Sequence, residues 1–270
     1  MIPLASLWLR CHPSVYAAKS FIERRRNHFP MTRLWTICLS VFVYANQTYH
    51  YRYSSKLFSK NFPLVRDGKE SLPSIIFGVC ANAAKPIRRQ AIRKSWGRDV
   101  AVYYLVAGNW NGISEEFVKQ GDMLWVDIPE DYRNALTPKT LAFLHFGSQV
   151  AMTKLSADYI FKTDEDVFIN ATKMSRELMV NDLPDYYGLL RNDTAPIRNV
   201  TNHGITSKWY ISVEEYPEDI FPPYAHGTGY AISKKFAICH WRRFVWNLKN
   251  HPTDHTTTEV NWPEEATYRG

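Results

Sequence analysis

Between residues 74 and 170 the chain alternates short apolar runs with longer amphipathic stretches. Ser74 to Cys80 is nearly continuous in apolar residues, the pattern of a strand buried on both faces. Ile87 to Trp96 has helical spacing and presents Arg88, Arg89 and Arg93 as a basic face. Ala101 to Ala107 reads as a second strand closed by Gly108, Ser114 to Gln120 as a short helix, and Met123 to Ile128 as a third strand ended by Pro129. Thr137-Pro138 has the form of a helix opening, with Thr as N-cap and Pro in the first turn. That helix is expected to run to about Leu155, with Leu141, Leu144, Ser148 and Ala151 on one stripe. Tyr159 to Asn170 follows as two strand-forming runs around Asp164-Glu165-Asp166. Strands alternating with helices predict an α/β fold, a mostly parallel sheet flanked by helices.

The pattern is different before residue 73. Residues 46–72 have no clean period and contain Ser54-Ser55, Pro63 and Gly68, so they read as a stem. Leu34 to Ala45 is an apolar run of twelve residues, preceded by Arg24-Arg25-Arg26 and Arg33. It is shorter than the ~20 residues that cross a bilayer. Basic residues ahead of it suit a signal anchor with a cytoplasmic N-terminus; a cleaved signal peptide and a buried helix also fit. The expected organisation is a tail over 1–33, a signal-anchor helix over 34–45, a stem over 46–72 and one globular domain over 73–270. Asn-x-Ser/Thr sequons stand at Asn46, Asn170, Asn192 and Asn199, all after the apolar run. Asn46, Asn192 and Asn199 are candidate glycosylation sites, whereas Asn170 adjoins the acids.

Charge narrows the function classes. The chain carries a formal +7 over 270 residues, but residues 1–60 hold nine Lys/Arg against one acid, Glu23. The remainder is close to neutral, which argues against a nucleic-acid binder. The four cysteines, Cys11, Cys38, Cys80 and Cys239, form no CxxC pair, so a zinc site is not indicated. Cys80 and Cys239 fit either a disulfide in an oxidising compartment or two buried thiols.

The acids carry the candidate chemistry. In an extended backbone, side chains two apart share a face, roughly 7 Å apart, so Asp164 and Asp166 would address one target. Hard oxygen donors at a strand end suit Mg²⁺ or Mn²⁺ that keeps positions open for substrate phosphates. Ligands in such sheets lie beyond the carboxyl ends of the strands.

Four blocks in order now resemble one family. Ile87 to Gly97 is similar to the R-R-x-A-I-R-x-[ST]-W-G signature of the β1,3-galactosyltransferases and β1,3-N-acetylglucosaminyltransferases, glycosyltransferase family 31. Asp131 to Thr140 resembles D-x-Y-x-N-L-T-x-K-T, and Lys162 to Asn170 resembles K-x-D-D-D-x-F-x-N. Lys208 to Pro217, Pro222-Pro223-Tyr224 and Gly227-Thr228-Gly229-Tyr230 are similar to the acceptor-side block. The resemblance implies a GT-A fold, a UDP-sugar donor, a glycan acceptor on glycoprotein or glycolipid, Mn²⁺, and a Golgi membrane protein of type II topology with a lumenal catalytic domain.

On that resemblance Asp166 is the expected metal ligand, with Asp164 beside it or on the ribose. Glu165, Arg88, Arg89, Arg93 and Lys139 are expected around the donor. Trp209, Tyr210, Glu215, Gly227 and Gly229 are expected on the acceptor side, with Tyr224 and Tyr230 as further stacking candidates. The family's E-D-V-[YF]-x-G block, whose second acid is the expected base, is missing; Glu259 stands near its distance. The family's Cys before Gly-Thr-Gly is replaced by Ala225-His226, and the sequence stops at Gly270, short of the family's usual tail. Two readings remain open: an active inverting hexosyltransferase, and an inactive relative that binds nucleotide-sugar or glycoprotein as a partner of an active enzyme.

Overall fold

The computed structural model describes residues 37–44, 47–62, 66–67, 70–199, 201–202, 205–206, 208–238 and 268–269. The strands of its main sheet are β1 Ile37–Tyr44, β2 Gln47–Ser54, β3 Ile75–Cys80, β4 Ala101–Val106, β5 Met123–Val126, β6 Tyr159–Asp164, β7 Tyr186–Arg191, β8 Tyr224–Ser233 and β9 Tyr268–Arg269. They form one sheet in the order β1-β2-β5-β4-β3-β6-β8-β7-β9. The helices are α1 Pro86–Lys94, α2 Trp110–Gln120, α3 Tyr132–Phe146 and α4 Ala171–Val180.

The sheet is mixed. Its centre, β5-β4-β3-β6, is parallel as the alternation predicts. Antiparallel strands extend it on both sides: β1 and β2 beyond β5, β8 and β7 beyond β6. Every residue of β3, β4 and β5 is buried, because helices or loops cover both faces. On one face Ile76, Tyr103, Leu105, Leu124 and Ile160 pack with Leu141, Phe143 and Phe146 of α3. On the other, Phe77, Val79, Tyr104, Val106 and Phe161 pack with Ile92 of α1, Ile113 and Phe117 of α2, and Leu178 of α4. Gly78 is required by the first layer: a Cβ there would run into the Phe143 ring.

Two expectations are corrected, for the stem and for the start of α3. The segment expected as stem is part of the domain: Tyr51, Arg52 and Tyr53 of β2 pair with Val126, Trp125 and Leu124, and Tyr51, Tyr53 and Leu57 are buried. Residues 37–44 of the 34–45 run form β1, in register with β2, and residues 34–36 and 45 lie outside the described residues; Val41-Phe42-Val43-Tyr44 are β-branched and aromatic residues that suit a strand. Among the described residues no helix is long and apolar enough to cross a membrane. Second, α3 begins at Tyr132, and Pro138 lies inside it. Pro138 has no N–H to donate to the Asn134 carbonyl one turn back, and Asn134 lies on the exposed side of the helix. A π turn over Gly147–Ala151 and a short helix Met152–Lys154 carry the segment on towards Leu155.

The topology positions the site. The chain proceeds β3, β4, β5 in one direction across the sheet, then returns so that β6 lies on the other side of β3. The carboxyl ends of β3 and β6 therefore flank a topological switch point, where a crevice opens. Cys80 and Asp164 lie opposite each other at that edge.

Candidate active site

At the end of β6 the extended backbone stops with Asp164. Glu165 and Asp166 form a turn, closed by Val167 N–H donating to the Asp164 carbonyl at 3.2 Å. The alternation that predicted a shared face for Asp164 and Asp166 does not extend through this turn. Asp164 Oδ1 accepts from Lys162 Nζ at 2.6 Å, and the same ammonium donates to the Gly227 carbonyl at 2.6 Å. Lys162 is only 4% exposed. Burial pulls its pKa down, but Cys80 and Asp164 outweigh that and hold it above the usual lysine value. Glu165 faces the β3–α1 turn: it accepts from Asn82 N–H at 3.1 Å and from Arg88 Nη1 at 3.1 Å. Asp166 is exposed and has no hydrogen-bond or ion-pair partner among the described residues.

Two of the three donor-side arginines, Arg89 and Arg93, are committed to carboxylates of the protein itself. Arg89 is completely buried. It donates to the Asn82 and Ala83 carbonyls and clamps Glu116 of α2 through Nε at 3.0 Å and Nη2 at 2.5 Å. Arg93 grips Asp122 at 2.7 and 2.9 Å and reaches Glu116 at 2.7 Å. These two side chains fasten α1 to α2 and β5, and their charge is already neutralised. Lys139 is likewise buried, donating to Glu130 Oε1 at 2.7 Å and to the Ala81 carbonyl at 3.1 Å. Glu130 also receives Ala107 N–H at 3.1 Å, so this pair ties α3 to the ends of β3 and β4. Of the four expected donor cations, only Arg88 is substantially exposed, and it rests on Glu165.

A cleft of about 300 Å³ lies between α3, the first half of β8 and residues 194–197, 209–211 and 221, with Lys162, the partner of Asp164, on its lining. Leu141, Ile211, Phe221 and Ala225 give it apolar walls; Lys162 and Tyr230 also line it. Trp209 stands at its rim, half exposed, with Nε1–H donating to the Tyr132 hydroxyl at 3.2 Å. Tyr210 is bridged to Ile197, and Glu215 caps its own turn by accepting from Ser212 N–H at 3.0 Å. Arg198 donates to the carbonyls of Ile211, Ser212, Tyr216 and Glu218, which shapes this wall. Gly227 lines the cleft, but Gly229 is explained by packing: a Cβ there would sit 2.8 Å from the Phe161 ring.

Glu259 and Asn46 lie outside the described residues. Asn192 and Asn199 are exposed; Asn170 caps α4 by accepting from Lys173 N–H at 2.9 Å. Cys80 is a free, buried thiol whose pKa burial raises; Cys239 lies outside the described residues. Reading the sequence assigned no role to Lys162, Glu116, Asp122, Glu130 or Arg198. The only local signal was Lys162, two residues before Asp164.

No group of three or more metal-ligating side chains occurs among the described residues. The acids present still fit a Mn²⁺ or Mg²⁺ that takes one or two carboxylates and fills its shell with water and phosphate oxygens, because Asp166 is exposed and uncommitted.

A family model described as Galactosyltransferase matches residues 87–239, more than half of the chain. The chain is 36% identical over 216 residues to beta-1,3-galactosyltransferase GALT1 of Arabidopsis thaliana, covering 73% of this chain but only 31% of that protein. It is 29% identical over 230 residues to beta-1,3-galactosyltransferase 5 of Pan paniscus, covering 76% of this chain and 73% of the relative. To the Mus musculus beta-1,3-galactosyltransferase 5 it is 30% identical over 190 residues, covering 64% of this chain and 58% of the relative.

Proposed function

The chain belongs to the galactosyltransferase family, and from that membership we propose that it transfers a hexose from a UDP-sugar to a hydroxyl of a glycan acceptor, forming a β1,3 linkage. Galactose is the proposed sugar, on the names of the matched relatives. The observation that carries the reading is the placement of Asp164 at the switch point, with Asp166 in the turn that follows and Lys162 of the cleft bonded to Asp164. Those relatives carry transferase names, so the partner-only reading is not favoured.

In this reading Asp166 would hold Mn²⁺ at the donor diphosphate, with Asp164 as its second carboxylate or on the ribose. The ion would act as a Lewis acid on the charge that develops on the departing UDP. Lys162 holds Asp164 in place and Glu165 fixes the β3–α1 turn beneath the nucleotide. The cleft takes the acceptor, and its apolar walls keep water from the anomeric carbon. Inversion in a single displacement needs one carboxylate to take the acceptor proton; Glu259 is the proposed base. A Golgi membrane location with this domain on the lumenal side belongs to the same proposal, supported by the exposed sequons at Asn192 and Asn199.

The test is a calorimetric titration of UDP into the full chain with and without Mn²⁺, followed by turnover of UDP-galactose and UDP-N-acetylglucosamine. The expected result is Mn²⁺-dependent UDP binding and release of UDP from UDP-galactose. Absence of UDP binding, or binding indifferent to the metal, overturns the reading.

A further inference from the structure

Two buried polar groups on the floor of the cleft have donors left over. Tyr230 is 3% exposed, and its hydroxyl has no hydrogen-bond partner. Lys162 has three N–H donors and commits two, to Asp164 and to the Gly227 carbonyl. The two residues are direct cross-strand neighbours, Tyr230 of β8 opposite Lys162 of β6. Directly opposed side chains share a face with Cβ atoms about 5 Å apart. On the other side of Lys162 the register places Gly78, which has no side chain to contribute. Both residues line the same cleft, whose walls are apolar. A buried hydroxyl without a partner costs stability, and such groups in native proteins call for an explanation.

We infer that the floor of this cleft is a subsite for one hexose ring, in which the Tyr230 hydroxyl and the Lys162 ammonium bind ring hydroxyls. This deepens the transferase reading on its acceptor side and rests on that reading. The size agrees: about 300 Å³ is at the lower end for ligand pockets, which suits one sugar ring rather than an extended chain. So does the chemistry. A pyranose has a polar rim and apolar C–H faces; the rim meets the two donors while the faces lie against Leu141, Ile211 and Phe221. The position is also productive, because the ammonium that would hold the sugar also holds Asp164. Tyr230 and Lys162 are thus specificity-determining residues for the acceptor.

The experiment uses the full chain and ligand-observed NMR titrations of methyl β-galactoside, methyl β-N-acetylglucosaminide and their monodeoxy derivatives. Wild type is compared with Tyr230→Phe, with UDP and Mn²⁺ titrated separately. Tyr230→Phe should weaken binding of the better glycoside by about tenfold, leave UDP affinity unchanged and leave thermal stability equal to wild type or higher, since the variant no longer buries an unpartnered hydroxyl. One monodeoxy sugar should lose the same factor on wild type and nothing further on the variant. The monodeoxy series on wild type stands even if the variant folds poorly. Equal affinity in both proteins, no sensitivity to any deoxy position, or no glycoside binding by a chain that binds UDP would overturn the subsite. A variant that loses stability but not affinity would mean the hydroxyl serves an internal water only, and overturns it too. Loss of UDP binding in wild type strikes the transferase reading instead, and is read in a separate titration.

Discussion

Replacing Glu116 with alanine removes the carboxylate that joins Arg89 and Arg93. Arg89 has no exposure to solvent, so it would keep its charge with only the Asn82 and Ala83 carbonyls as acceptors. Breaking a buried ion pair by deleting one partner costs about 3–5 kcal/mol. Glu116 retains a fifth of its side-chain exposure and Arg93 keeps its two bonds to Asp122, so the low end applies, about 3 kcal/mol. Alanine's helix propensity returns only a few tenths of a kcal/mol. For a chain of this size that loss lowers Tm by roughly 6–12 °C. Urea denaturation should show the same change as a shift in midpoint at constant slope. UDP affinity, measured well below the new Tm, should stay within about twofold. The opposite pattern, Tm within about 2 °C of wild type and UDP affinity lost more than tenfold, would refute the structural role and return Arg89 and Arg93 to the nucleotide. Acid should mimic the substitution. Burial raises the Glu116 pKa, but both guanidiniums outweigh it and hold it below the ordinary value. The group therefore stabilises the fold above about pH 4.5 and loses that contribution as pH falls through its lowered folded pKa.

Asp166→Asn should weaken UDP binding in Mn²⁺ by roughly 10²-fold and abolish most of the metal dependence, while Glu165→Gln should leave metal dependence intact and cost about 1 kcal/mol of stability through the lost Arg88 and Asn82 bonds; paired titrations and melts check both. Gly229→Ala should lower stability by about 1–3 kcal/mol by pressing a methyl onto the Phe161 ring, with glycoside affinity changed less than Tm predicts from unfolding alone. Burial lowers the His145 pKa from 6.5 to about 4, with the Tyr51 hydroxyl at 2.8 Å from its Nδ1. Its neutral form is the one folded, so stability is complete above about pH 6.5 and falls between there and pH 4, by up to about 3 kcal/mol; His145→Gln should flatten that limb in denaturation curves taken across pH.

The acids at the end of β6 were legible because their signal is local. Apolar runs on either side of Asp164-Glu165-Asp166 specify a strand that stops there, and the alternation of strands with helices says which end of the sheet that is. The runs of β3, β4 and β5 were equally plain, since a strand buried on both faces has no polar positions to obscure it. What Arg89 and Arg93 do was not legible. A basic helical face has the same pattern whether it meets phosphate or carboxylate, and Glu116 and Asp122 reach it only once α2 packs beside α1.

The limits of the domain were hidden for the same reason. Gln47–Ser54 has no distinctive period, and only pairing with β5 makes it a strand. Lys162 and Tyr230 stand far apart in sequence, and either would pass for an ordinary strand residue. The antiparallel register of β8 on β6 sets them face to face, and α3 with residues 194–197, 209–211 and 221 completes the cleft. By itself the sequence determined the parallel centre and the position of its acids, because periodicity and composition act over a few residues. Tertiary structure alone decided which charges are spent on each other and which polar groups are left for a ligand, because burial and pairing depend on elements brought together from distant parts of the chain.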